Sequence, residues 1–295
     1  MPDVKIFWDP QGISIDTLGT NAFLRLTDGD TPYISMSVRM LSIDAPEVHY
    51  PGRTPPSRHD ASLAELADWI QQGKAPISDD LAAYLHPRLA TGQAGTLHER
   101  QGQQAAATFK QMLDQMLARP GGSQRSLFIR TADERFDQYG RLLAYIAPSY
   151  SRDELARMSP WERATFNLLL VRAGWAATLI IYPSLPKYED LVMLRDGAKE
   201  AYLKGRGIWG EPLSLTGYEF RMAVKLYDVT RRLLSGESLS SSQRSSWIER
   251  YCVDLTTQEI YYPESYIRVA PYNRLFVWPK DVSEAVARCN LVPGD

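Results

Sequence analysis

An alternating run, Ile34-Ser35-Met36-Ser37-Val38-Arg39-Met40, constrains the fold of this chain more than any other feature. Successive strand side chains point to opposite faces. Period two therefore sends Ile34, Met36, Val38 and Met40 one way, and Ser35, Ser37 and Arg39 the other. Such a strand covers its apolar face with a core and leaves a guanidinium on its polar face. It ends near Asp44-Ala45-Pro46-Glu47, because Pro46 has no N–H to give a ladder. Upstream, Phe23 to Ile43 reads as a hairpin around the turn Asp28-Gly29-Asp30-Thr31.

Residues 48–98 are rich in Pro, Gly, His and polar clusters, and read as an insertion with short helices near Leu63–Gln71 and Asp79–Tyr84. Beyond it Phe109, Met112, Leu113, Met116 and Leu117 form a helical stripe that Pro120-Gly121-Gly122 ends. Strands are expected at Ser126–Thr131 and Leu142–Ile146, around a tight segment whose turn Gly140 permits. Then come a helix over Trp161–Ala173, a strand over Ala176–Tyr182, and helices near Tyr188–Lys204 and Tyr218–Leu234. Seven of the twelve residues of 235–246 are serine, which suggests a linker after the helix, so 211–246 is expected as helix plus Ser-rich linker. The remainder, 247–295, is expected as a small α+β module with a hairpin (Arg250–Leu255, Glu259–Tyr262), a strand at Arg274–Trp278 and a helix at Asp281–Cys289.

A hydrophobic content of 44% with 23% charged residues is that of a globular protein with a core, and disorder is not expected. No stretch nears the roughly 18 apolar residues of a membrane span, and residues 1–30 carry no signal-peptide pattern, so a cytoplasmic location is expected. Two cysteines, Cys252 and Cys289, are too few for a disulfide framework and read as thiols. The formal charge of −2 supplies no general attraction to nucleic acid. Any case for such a partner rests on individual residues.

Three polar clusters occur in order: Asp28-Gly29-Asp30-Thr31, Arg39 to Glu47, and Asp137 to Arg141. The segment Arg39-Met40-Leu41-Ser42-Ile43-Asp44-Ala45-Pro46-Glu47 resembles the first catalytic strand of the staphylococcal nuclease family. Asp137-Gln138-Tyr139-Gly140-Arg141-Leu142-Leu143-Ala144-Tyr145 resembles its second signature, which carries another active-site arginine. Leu170–Ala176 is similar to the segment before the family's last barrel strand, and Ala198–Trp209 to its C-terminal helix with a Gly-Ile-Trp stop. The resemblance covers about Phe23 to Gly210. It implies an α+β fold: an OB-fold-like five-stranded β-barrel with packed helices in a domain of 1–210, interrupted by the insertion at about 48–98.

The activity it implies is calcium-dependent hydrolysis of phosphodiester bonds in DNA or RNA, by internal or terminal cutting, leaving 3′-phosphates. The residue types suit that chemistry. Hydrolysing a phosphodiester brings an anionic nucleophile to an anionic phosphorus, so positive charge and an activated water are required. Asp30, Asp44 and the Ala45 carbonyl are hard oxygen ligands suited to Ca²⁺. Glu47 matches the family's general base, and Arg39 and Arg141 offer forked donors to phosphate oxygens. Arg39 and Asp44 differ by an odd number, so a bulge or bend between Met40 and Asp44 is expected.

Tyr139 and Tyr182 match substrate-contacting positions, whereas Ile180 and Gln138 replace a family tyrosine and lysine. His49, His59, His86 and His98 all lie in the insertion, with no zinc spacing. The insertion follows Glu47 directly, so it either covers the cleft or packs elsewhere. The aromatics of 247–295 read as core, with a protein-binding or nucleic-acid-binding accessory role for that module as the other use. A non-catalytic nucleic-acid- or protein-binding module of the Tudor-nuclease type is the alternative to a hydrolase.

Overall fold

The computed structural model describes residues 22–29, 31–119 and 121–294. Helices and sheets are mixed along the chain, an α+β arrangement. The chain divides into two compact units, 1–39 with 131–144, and 40–130 with 145–295.

In the first unit β1 (Phe23–Leu26) pairs antiparallel with β2 (Pro32–Ile34), as the turn residues between them predict. The alternating run is not one strand. Ser35 donates its N–H to Ala22 O, whereas the Ser37 carbonyl accepts from Leu142 N–H, so the chain changes partners between them before β3 (Val38–Met40) begins.

The turn at 137–141 is built locally. Asp137 Oδ1 accepts from the N–H groups of Tyr139 and Arg141, and Gly140 takes the φ of 72° that a side chain would resist.

In the second unit β4 (Ile43–Asp44) follows a two-residue turn in which Ser42 has φ 61°. This is the expected bend, and it is pinned by its surroundings. The Asn167 side-chain amide donates to Leu41 O at 2.9 Å, and Ser42 Oγ lies 2.5 Å from Tyr145 Oη.

The region expected as an insertion is mostly helical: α1 (Asp60–Gln71), α2 (Asp79–Leu89) and the long α3 (Ala94–Leu117) that leaves it. Next come β5 (Leu127–Phe136) and β6 (Leu142–Pro148), which with β3 form a sheet in the order β3-β6-β5. Then follow α4 (Arg152–Arg157), α5 (Phe166–Arg172), β7 (Ala177–Thr178), β8 (Ile180–Ile181) and α6 (Tyr188–Leu203).

Helix α7 (Gly217–Leu234) opens roughly the last quarter of the chain. Its apolar face, Phe220, Met222, Ala223, Leu226 and Val229, shares a core with Leu63, Leu66, Leu81, Leu85 and Leu89 of α1 and α2. The serine-rich stretch holds a short helix, α8 (Ser241–Ser245), and buries Leu239 in the same core. Residues 247–294 supply β9 (Tyr251–Asp254), β10 (Glu259–Tyr261), β11 (Arg274–Val277), α9 (Val282–Cys289) and β12 (Val292–Pro293).

The five-stranded sheet has the order β12-β10-β9-β11-β8, with β11 parallel to β8 through Leu275↔Ile180. Thus a strand from the expected C-terminal module pairs with one from the region of family resemblance. Among the described residues no closed barrel is detected: strands fall into sheets of two, five, three and two. The turn at Leu41–Ser42 marks a change of partners, since β3 joins β6 while β4 pairs with β7. Both cysteines are free thiols, and burial pushes that of Cys252 up to about 12. No helix among the described residues is long and apolar enough to cross a membrane.

Candidate active site

Asp44 ends β4, whose Ile43 and Asp44 pair with Thr178 and Ala177, and the following loop carries Ala45, Pro46 and Glu47. Two helices approach this loop so closely that only glycine fits. A Cβ at Gly102 of α3 would lie 2.7 Å from Glu47 O, and one at Gly217 of α7 would lie 2.6 Å from both Ala45 O and Asp44 Oδ2. The Glu47 N–H donates to His98 Nε2 at 2.9 Å, which places the ring proton on Nδ1. His98 stacks on Phe220, with centroids 4.2 Å apart, and burial lowers its pKa to about 3, so it is neutral.

The centre of the cluster is Arg221. One of its terminal nitrogens donates to both Asp44 oxygens at 3.0 Å, and the other donates to Glu47 Oε1. Thr216 and Glu219 set the helix that carries it by a capping box: Thr216 Oγ1 accepts from Glu219 N–H, and Glu219 Oε2 accepts from Thr216 N–H at 2.9 Å.

Helical spacing then puts Arg221 four residues on from Gly217, on the face that meets Asp44. Asp44 is only 1% exposed, a burial that an unpaired carboxylate would not tolerate. Burial alone would push the Arg221 guanidinium down, but Asp44 and then Glu47 outweigh it and hold it above its ordinary value.

Of the sequence-predicted residues, the structure gathers Asp44, Ala45 and Glu47. Asp30 lies outside the described residues. Arg39 is half-buried on β3 in the first unit. Arg141, in the same unit, pairs with Asp137 at 2.7 Å, and Tyr139 beside it is 73% exposed.

There, burial pushes the Asp137 carboxyl up, but the hydrogen bonds from the Arg141 side chain and the turn N–H groups overcome it and hold the carboxyl below its usual range. Tyr182 is 4% exposed and packs in the core with Leu194 and Val253, so a base cannot stack on it without displacing it. Arg221 was not anticipated. Its signal was Thr216-Gly217-Tyr218-Glu219 ahead of an apolar helix, a capping box that fixes which residues face back over the first turn.

Calcium requires open, hard oxygens. Both Asp44 oxygens are hydrogen-bonded to Arg221, and the Ala45 carbonyl oxygen lies where a Cβ on Gly217 would collide with it. In this arrangement these two candidate ligands do not fit a calcium ion, because a guanidinium fills the cationic position beside Asp44. No group of three His, Cys, Asp or Glu among the described residues is arranged to hold a metal.

No curated protein matches the chain. The model of the staphylococcal nuclease homologue family matches residues 37–211, more than half of the 295. That span contains Arg39, Asp44, Glu47 and Arg141 and stops before Arg221. The chain therefore belongs to the staphylococcal nuclease homologue family.

Proposed function

We propose that this protein is a nuclease that hydrolyses phosphodiester bonds of DNA or RNA, with Asp44 and Glu47 at the centre of its chemistry. The observation that carries the reading is the pair of acids held together beside one buried guanidinium, Arg221, in a chain of nuclease type. Glu47 is the more accessible of the two and is the candidate base, orienting and deprotonating the attacking water. Arg39 and Arg141 carry the phosphate-neutralising roles of the family, and Tyr139, exposed beside Arg141, is available to the substrate. Each role asks only for groups present in this chain. Calcium dependence remains part of the proposal as an experimental arm, since a cation reaching Asp44 would have to replace Arg221.

The occupied position beside Asp44 also favours a second reading, a nucleic-acid-binding module in which Arg221 permanently takes the place of a cation. One experiment separates the two. Purified full-length protein is incubated with plasmid DNA and with RNA, with added calcium and with a chelator, alongside Glu47→Gln. Cleavage by the parent protein that falls at least about 10²-fold in Glu47→Gln, with binding retained, supports hydrolysis. Binding without cleavage under every condition leaves the second reading. Cleavage that survives Glu47→Gln removes the base assignment.

A further inference from the structure

Beside the acid cluster, on the side of Arg221 away from the family-matched segment in sequence, lies a cavity of about 70 Å³. Tyr218, Arg221, Met222 and Lys225 line it from α7, at positions i, i+3, i+4 and i+7 of one face, opposite Trp247, Glu249, Arg250 and Trp278. Three cations thus converge on one small space. Arg221 is answered by Asp44 and Glu47, but neither Lys225 nor Arg250 has a carboxylate within ion-pairing distance among the described residues. Glu249, the one acid on the wall, is exposed.

Arg250 is held by rings rather than by charge. Its guanidinium carbon lies 4.5 Å from the Tyr218 ring centroid, 5.1 Å from that of Trp278 and 5.5 Å from that of Phe276. Burial lowers the pKa of this guanidinium and the neighbouring Arg221 adds to the effect, together outweighing the opposite pull of Tyr218 and Asp44. Its pose is fixed before any ligand arrives, so little side-chain entropy remains to be lost on binding an oxyanion. Size permits it: a water takes roughly 10–15 Å³, so the space has room for about five to seven water-sized atoms, enough for the phosphorus and oxygens of one phosphate.

We propose that this cavity binds a phosphoryl group, with Arg250 and Lys225 as its fixed and mobile donors and Arg221 as a donor shared with the acid cluster. Arg221 cannot serve the phosphoryl group and both carboxylates fully at once. Occupancy therefore draws its guanidinium away from Asp44 and Glu47, a consequence that rests on the nuclease reading, whereas binding itself does not. Terminal phosphates of nucleic acid and free phosphate share the chemistry, and the assay distinguishes them.

Isothermal titration of the full-length protein with inorganic phosphate, with a 5′-mononucleotide, and with 5′-phosphorylated and 5′-hydroxyl forms of one short oligonucleotide tests the site without any cleavage. The expected result is saturable phosphate binding, weakened about 10-fold or more by Arg250→Gln, severalfold by Lys225→Gln, and by added salt. A preference for the 5′-phosphorylated oligonucleotide identifies a nucleic-acid end as the source. Equal binding of the two oligonucleotides, with inorganic phosphate still bound, identifies free phosphate.

Absence of phosphate binding, or unchanged binding in both variants, overturns the proposal. If Arg250→Gln does not fold by circular dichroism, Lys225→Gln and Lys225→Glu at an exposed position decide alone. A protein that binds phosphate yet cuts nothing keeps the site and loses the nuclease reading. One that cuts but binds no phosphate does the reverse.

Discussion

Arg221 with Asp44 and Glu47, and Arg141 with Asp137, are both guanidinium–carboxylate clusters, but they are built from opposite materials. The second is local: four residues separate its partners, the turn between them supplies further hydrogen bonds, and its arginine is 39% exposed. The first joins side chains 174 and 177 residues apart, with one carboxylate almost wholly buried. A cluster of the local kind holds its shape whatever the rest of the chain does. A cluster of the distant kind exists only when the fold is complete, and its loss leaves a buried charge unanswered.

The largest effect expected from that contrast is on stability. Arg221→Ala takes from the buried Asp44 the guanidinium that meets both its oxygens and should cost about 3–5 kcal/mol, read as a lowered denaturation midpoint in urea. A midpoint within error of the parent would mean that Asp44 is solvated or otherwise paired, and the contrast would fail.

Acid sharpens the same point through His98. Its folded pKa of about 3 lies below the unfolded value near 6.5, so the unfolded chain binds the extra proton between those limits. The neutral ring's contribution is therefore full above about pH 6.5 and is lost as pH falls toward 3, by up to about 1.4 kcal/mol per pH unit. His98→Gln should flatten the melting temperature against pH over that window. An unchanged slope would place the titration elsewhere.

Gly217→Ala puts a methyl group where Ala45 O and Asp44 Oδ2 already lie, and should cost roughly 1–3 kcal/mol as α7 shifts. A neutral result would show that the helix start is looser than its contacts. The smallest effect belongs to the local cluster. Asp137→Asn keeps an acceptor for the turn N–H groups and removes only a partly exposed ion pair, about 0–1 kcal/mol. A loss comparable to that of Arg221→Ala would erase the distinction.

What could be seen in the sequence follows the same division. Elements defined by near neighbours, such as the β1–β2 hairpin, the Gly140 turn and α6, lie close to where periodicity and turn residues put them. The acids of the site were visible because both, Asp44 and Glu47, share one short segment after a strand.

Arg221 was not visible as part of it, since nothing local in Phe220-Arg221-Met222 says which carboxylate it meets. The alternating run misled in the same way. Period two predicts faces, but the change of partner at Ser35–Ser37 and the turn at Ser42 depend on Leu142, Asn167 and Tyr145, all more than 100 residues away. The serine-rich stretch resembled a spacer by composition, yet Leu239 and the following Trp247 are anchored in the core.

The capping box at Thr216 has a practical consequence for anyone trimming this protein. A fragment ended at residue 211, where the family likeness stops, would lack α7 altogether, and with it the guanidinium that joins Asp44 to Glu47. Such a fragment would not be a smaller version of the same protein. It would be a different electrostatic object, more hungry for cations and less able to fold around them.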